Sequence, residues 1–199
     1  MHRRGDGFWS NGRWYDVNLA RRQPLAMPML EELVMALPPL EAGQTLCDVG
    51  AGTGNAAFMT CSAYPAIEAT LVDQNPDFLA IAADKIRDIR HEVLTIEATI
   101  LPDGQPLPGG PYDVVIASLA LHEIIGTDRD VPEAETMYEL VFQGFRDSLN
   151  PGGHLFVADH VGTLGLYRQL KAMERAGFVD VDCAWRQDEY FVCGGRQPA

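Results

Sequence analysis

The chain has 199 residues, enough for one domain with a short extension, and 47% of them are apolar, which excludes a disordered polymer. Its longest apolar run, Val114 to Leu121 interrupted by Ser118, is far shorter than the ~20 residues of a membrane span. Asp and Glu number 28 against 15 Lys and Arg, and the resulting net charge of −13 repels a phosphate backbone and disfavours non-specific nucleic-acid binding.

Residues 1–28 read as an N-terminal arm or lid, and residues 29–199 as the domain proper. The arm carries Arg3, Arg4, Arg13, Arg21 and Arg22, with Gly5, Gly7 and Gly12 set among Phe8, Trp9, Trp14 and Tyr15. Such aromatics are expected to dock onto the body, as a cover or as packing; a solvated tail is the alternative. No apolar signal core follows the start, so the expected compartment is the cytoplasm.

After Pro28, Leu30, Leu33, Val34 and Leu37 share a helical face that Pro38-Pro39 ends. Thr45–Val49 reads as a strand, Asn55–Ala63 as a helix and Ala69–Asp73 as a second strand. Asn75 can cap the next helix with Pro76 at its first position, and Phe78, Ala82, Ile86 and Ile89 then line one face. Strands follow at Val93–Ala98 and Tyr112–Ala117. Asp130 and Glu133 open a helix bearing Met137, Val141, Phe145 and Leu149, and Asn150-Pro-Gly-Gly153 ends it. His154–Asp159 is a fifth strand, Leu166–Ala176 a helix, and Val179–Trp185 with Tyr190–Cys193 a hairpin. Strands joined by helices demand a parallel sheet covered on both faces, so the fold class is α/β. Cys47, Cys61, Cys183 and Cys193 form no C-x-x-C pair and have no His at zinc spacing; they read as reduced, small buried residues, and no metal is expected.

The strongest signal is Asp48-Val-Gly-Ala-Gly-Thr-Gly-Asn55, placed between the first strand and the following helix. Gly50, Gly52 and Gly54 permit a tight turn and close backbone approach to a ligand. Asp73 ends the next strand, 19 residues beyond Gly54, where a carboxylate can accept both hydroxyls of a ribose. The dinucleotide fingerprint G-x-G-x-x-G needs its third glycine at 55, where Asn55 stands. With Asp48 so near, the turn suits a cationic nucleoside better than a diphosphate.

Asp-Val-Gly-Ala-Gly-Thr-Gly resembles the first motif of class I S-adenosylmethionine (SAM)-dependent methyltransferases. Leu71-Val-Asp73 is similar to the family's second motif, Tyr112 to Ile124 to its fourth-strand motif, and Leu149-Asn-Pro-Gly-Gly-His-Leu155 to the loop entering its fifth strand. The likeness runs from about residue 29 to 195. It implies a Rossmann-like fold with a seven-stranded, mostly parallel sheet in the order 3-2-1-4-5-7-6 and an antiparallel C-terminal hairpin. It also implies SAM as cofactor and S-adenosyl-L-homocysteine (SAH) as product. Gly50, Ala51, Gly52 and Gly54 would line the methionine and ribose portions and Asp48 would act near the ammonium. Asp73 would take the ribose hydroxyls, Gln74 would flank the adenine, and Ser118 and Leu119 would approach the methionine end. An acid often follows the family's third strand; here the stretch reads Glu97-Ala-Thr-Ile-Leu-Pro-Asp103, so backbone groups around Thr99, or Asp103, would replace it.

Methyl transfer from a sulfonium is an in-line displacement that needs a base only when the acceptor loses a proton. His122, after the fourth strand, is the candidate base, and a histidine that merely orders the loop is the alternative; His160 is the second choice. Arg21 could pair with the cofactor carboxylate. With few insertions to recognise it, the acceptor is expected to be a small molecule methylated at O, N or S, by a monomer or homodimer. An RNA-modifying relative, transfer of another SAM-derived group, and a non-catalytic SAM-binding protein are the alternatives.

Overall fold

A computed structural model describes residues 12–126 and 128–199 of the chain. In chain order its elements are α1 (Gly12–Arg22), α2 (Ala26–Ala36), β1 (Thr45–Val49), α3 (Asn55–Ala63), β2 (Glu68–Asp73), α4 (Pro76–Arg87) and β3 (Val93–Glu97). They continue as β4 (Tyr112–Ser118), α5 (Leu121–Ile125), α6 (Val131–Asp147), β5 (Leu149–His160), α7 (Leu166–Arg175), β6 (Val179–Gln187) and β7 (Tyr190–Arg196). The seven strands form one sheet in the order β3-β2-β1-β4-β5-β7-β6. All are parallel except β7, which runs antiparallel to both β5 and β6.

Strand alternation sends successive side chains to opposite faces, and each face finds its own helices. Leu46, Leu71, Val114 and Ile116 pack beneath Met29, Leu30 and Leu33 of α2 and Leu79, Ala82 and Ile86 of α4. Cys47, Val49, Val115, Leu155 and Val157 pack against Tyr138, Val141, Phe142 and Phe145 of α6 and Met173 of α7. Each fully buried Phe of α6 contributes roughly 1.5–3 kcal/mol to this layer. Local capping agrees with the packing. Asn75 accepts the backbone N–H groups of Asp77 and Phe78, and Asp130 accepts that of Glu133.

Apart from shifts of one to three residues at other element ends, four departures from the sequence expectation stand out. Residues 12–22, read as part of a glycine-rich arm, form the helix α1; its only glycine is the first residue, and Gly12 sits where an added Cβ would collide with Ile81. The next helix starts at Ala26, because Pro28 within the first turn has no N–H that the helix needs. Residues 121–125, read as loop, make the single turn α5, too short to display periodicity. Strand β5 begins at Leu149 rather than His154, because Leu149 still pairs with Tyr112 ahead of a register shift. No described helix is long and apolar enough to cross a membrane.

Candidate functional site

Strand order reverses about β1, whose neighbours β2 and β4 lead outward in opposite directions, and open α/β sheets gather ligands at the carboxyl ends beside such a point. The glycine turn occupies that edge. Gly50, Gly52 and Gly54 have φ of 64°, 54° and 77°, the left-handed region that glycine tolerates. An added Cβ would lie 2.6 Å from Ala120 Cβ at Gly50 and 2.6 Å from Ala82 Cβ at Gly54, so these two let α4 and the end of β4 approach. At Gly52 the nearest atom would be 3.9 Å away, an ordinary contact distance, so of the three only this position has room for a side-chain carbon.

Two carboxylates fix the turn. Asp73 accepts the Gly52 N–H through Oδ2 and the Asn75 N–H through Oδ1, both at 2.8 Å, which leaves each oxygen a further lone pair. Asp48 is 0% exposed; its Oδ2 accepts the Ala57 N–H at 3.1 Å and its Oδ1 has no partner. Burial, opposed by the Ala57 N–H and reinforced by the charge of Asp73, raises its pKa to about 7. An orphaned, fully buried carboxylate oxygen beside the glycine turn fits a cationic group bound there.

Helix α1 lies over this turn. Asp16 Oδ1 accepts the Thr53 hydroxyl at 2.6 Å and the Asn55 amide at 2.8 Å, while Lys85 Nζ donates to Asp16 Oδ2 at 2.9 Å and to Asn55 Oδ1 at 2.6 Å. Partial burial pushes the Asp16 carboxyl up, but these hydrogen bonds and the Lys85 charge outweigh it and hold the pKa below its ordinary value. Tyr15 packs on Phe78 with ring centroids 5.6 Å apart. Burial first, then the charges of Asp16, Asp73, Asp159 and Glu123, push its phenol up to about 12. Tyr15 and Leu19 close a cavity of about 20 Å³ whose floor includes Gly50, Ala51, Gly52, Ser118 and Leu119. Leu119 itself has a φ of 50°, an uncommon conformation for a bulky residue and one that marks functional edges.

The second half of the site joins β4 to β5. His122, on α5, places its Nδ1 2.8 Å from Asp159 Oδ1 at the end of β5. Asp159 is 2% exposed and also accepts the backbone N–H groups of Leu121, His122 and His160. With Nδ1–H donated to the carboxylate, Nε2 carries the lone pair and lies 3.6 Å from Glu123 Oε1. Burial lowers the imidazole pKa, but the hydrogen bond and charge of Asp159, aided by Glu123, outweigh it and hold the group above 6.5. His160 packs against His122 with the rings tilted by 37° and their centroids 4.2 Å apart. The ligand atoms of His122, Asp159 and His160 lie within 4.8 Å of one another. However, four donors already fill the lone-pair directions of Asp159, which suits an orienting carboxylate better than a metal ligand.

Of the residues singled out from sequence, Asp48, Gly50, Ala51, Gly52, Gly54, Asp73, Ser118 and Leu119 meet at one edge, and His122 follows on α5 from the same strand end as Ser118. Gln74 and Thr99 are exposed beyond the ends of β2 and β3. Arg21 is exposed near the end of α1 and does not line the cavity, which Tyr15 and Leu19 of that helix reach instead. Trp14 is 57% exposed, and Trp9, Phe8, Arg3 and Arg4 lie outside the described residues. Sequence reasoning did not find the contacts of Asp16 and Lys85 with the turn or the pairing of Asp159 with His122. A larger concavity of about 290 Å³ lies on β5, β6 and β7 among His154, Phe156, Asp180 and Arg196, but Asp180 is already paired with Arg196 and no carboxylate there is orphaned.

A seven-stranded sheet of this order, with a glycine turn after β1 and an acid ending β2, defines a Rossmann-like methyltransferase of class I. Residues 47–155, more than half of the chain, match the family described as methyltransferase domain, and the chain belongs to it. No curated protein matches the chain. Among solved structures it is similar to the SAM-dependent methyltransferase SibL in its apo form, with 18% identity over 96% of this chain and 61% of that one and a TM-score of 0.66. It is similar to an O-methyltransferase family 2 protein from Planctomyces limnophilus in complex with apigenin, with 22% identity, 94% and 62% coverage and a TM-score of 0.62. A SAM-dependent methyltransferase from Clostridium acetobutylicum matches with 11% identity over 94% of this chain and 98% of that one, at a TM-score of 0.68. The chain spans 61%, 58% and 60% of the length of three of the similar structures.

Proposed function

We propose that this chain is a SAM-dependent methyltransferase acting on a small-molecule acceptor whose reacting O, N or S atom must lose a proton. The observation that carries this reading is the His122–Asp159 pair, set at the same sheet edge as the glycine turn and its two carboxylates. When bound, the cofactor supplies an electrophilic methyl group on a sulfonium. Asp48 Oδ1 faces the cofactor's ammonium, Asp73 takes its ribose hydroxyls with the lone pairs left by Gly52 and Asn75, and Gly52 lets it rest on backbone. Gln74 and Thr99 flank the adenine, and Ser118 and Leu119 flank the methionine end. Because Arg21 is exposed and does not line the cavity, the cofactor carboxylate is left to backbone N–H groups at the turn.

His122 is the base. Asp159 holds its Nδ1–H, so Nε2 can accept the acceptor's proton and the imidazolium that forms is stabilised by the same carboxylate. The apigenin complex of the Planctomyces neighbour supports a small acceptor, as does the scarcity of insertions around the edge.

Calorimetric titration with SAM, SAH and NAD, followed by a methyl-transfer screen over small phenols, amines and thiols, tests the reading. Micromolar binding of SAM or SAH that disappears in Asp73→Ala, with turnover of at least one acceptor lost in His122→Ala, is the expected result. Binding of NAD in place of SAM and SAH, or turnover indifferent to His122, refutes it.

A further inference from the structure

We propose that Asp16 gates cofactor binding: its bonds to Thr53, Asn55 and Lys85 latch α1 over the glycine turn, in the space that the methionine end of the cofactor requires, and the latch must open before the cofactor enters. The proposal rests on the cofactor reading above and extends the view of the N-terminal segment as a lid.

Volume makes the first argument. Ligand sites of cofactor size enclose roughly 300 Å³ or more, whereas about 20 Å³ remains between α1 and the turn. Tyr15 and Leu19 fill the rest, and Leu19 is 2% exposed against the body. The turn is glycine-built and its two anchoring carboxylates belong to β1 and β2, so the mobile partner is the helix rather than the turn.

The latch makes the second argument. Thr53 belongs to the turn and Asn55 is the first residue of α3, so Asp16 grips two side chains of the very segment that would carry the cofactor. Asn55 stands where the dinucleotide fingerprint has glycine, and here its side chain has a use: Nδ2 donates to Asp16 while Oδ1 accepts from Lys85. The Asp16 side chain is 40% exposed and that of Lys85 22%, so water can replace each partner when the helix lifts. At its other end α1 joins α2 through Gln23, Pro24 and Leu25, a link short enough to act as a pivot. Its outer face shows Trp14 and Val17 to solvent.

A ligand that binds only the open state has its apparent affinity reduced by the fraction of chains that are open. Weakening the latch therefore tightens cofactor binding. The experiment compares wild type with Asp16→Ala and, from the other side of the latch, Lys85→Met, in the full chain. SAH affinity is read by calorimetry, and backbone exchange of residues 14–22 by hydrogen–deuterium exchange with and without SAH. The expected result is SAH binding about fivefold tighter or more in both variants. It includes faster exchange of α1 in both unliganded variants, and faster α1 exchange in wild type once SAH is added. Unchanged or weaker SAH binding in both variants, or an α1 in wild type equally protected with SAH, overturns the gate. If no form binds SAM or SAH while α1 still exchanges faster in the variants, the cofactor reading has failed and the gate with it. A Lys85→Met variant that behaves as wild type while Asp16→Ala unfolds also overturns it.

Discussion

Asp48 offers a sharp test of how the site is poised. Its carboxylate is wholly buried with one oxygen unpartnered, and its pKa rises from 3.8 to about 7. An acid whose folded pKa lies above its unfolded value costs nothing below 3.8; the cost grows as pH climbs through the window between 3.8 and about 7 and is complete above it. About three pKa units correspond to about 4 kcal/mol. Asp48→Asn removes the charge and keeps the shape, but its amide N–H groups need partners and give back about 1–3 kcal/mol. The unliganded variant should thus be about 1–3 kcal/mol more stable than wild type near pH 8, and about 0.5–2.5 kcal/mol less stable near pH 4, where the folded Asp48 is already neutral. For a chain of this length each kcal/mol moves the Tm by roughly 2–4 °C. Thermal unfolding of both proteins across that pH range, without cofactor, reads the difference. A variant whose Tm differs from wild type by the same amount at both ends would mean that Asp48 carries no buried charge, and the argument for a cationic ligand above it would fall. The same variant should bind SAM more weakly, because the orphaned oxygen is its proposed partner.

Replacing His122 with Ala should lower kcat by roughly 10²–10⁴ with SAH affinity unchanged; a loss below about tenfold, measured in the methyl-transfer assay, removes it as the base. Because its pKa is held above 6.5, activity should rise through a pH above that value, and Asp159→Asn should move the limb to lower pH while lowering kcat. The stabilisation from the His122–Asp159 pair is full below 6.5 and is lost as pH rises through the elevated value, which urea titrations of wild type and Asp159→Asn at several pH values would register. Gly54→Ala, with φ of 77° and a Cβ only 2.6 Å from Ala82 Cβ, should cost about 2–4 kcal/mol in the same titrations; a cost below about 1 kcal/mol would mean that α4 yields easily.

The glycine turn and Asp73 were legible in the sequence because both belong to one β-α-β unit, in which local spacing dictates geometry. Strand β5 was found from its apolar run at Leu155 to Ala158, but its start at Leu149 depends on pairing with Tyr112 across the sheet, which no local pattern reports. The His122–Asp159 pair spans 37 residues, and only the adjacency of β4 and β5 joins them. Asp16 and Lys85 are farther still, 69 residues apart, and each alone looks like an ordinary surface charge. Helix α1 hid for a different reason: glycines and aromatics upstream gave the whole segment a loop-like composition, and the apolar residues are split, Tyr15 and Leu19 facing the body and Trp14 and Val17 the solvent, so no single apolar stripe marks the helix.

Five carboxylates converge on this edge, and the way each is satisfied assigns them different work. Asp16 is compensated by Lys85 and by two neutral donors, and Asp73 by two backbone N–H groups. Asp159 is compensated by three backbone N–H groups and an imidazole, and Glu123 is exposed to water. Asp48 alone among the described carboxylates is buried with an oxygen left over. A cation arriving at the edge therefore gains most above β1, where desolvation has already been spent in folding. An anionic acceptor would meet the fields of Asp73, Glu123 and Asp159 with Lys85 occupied elsewhere. Neutral or cationic acceptors are therefore the expected ones, and adding a carboxylate to an otherwise competent acceptor should raise its KM more than it lowers kcat, since the repulsion acts before the reacting atoms are in line.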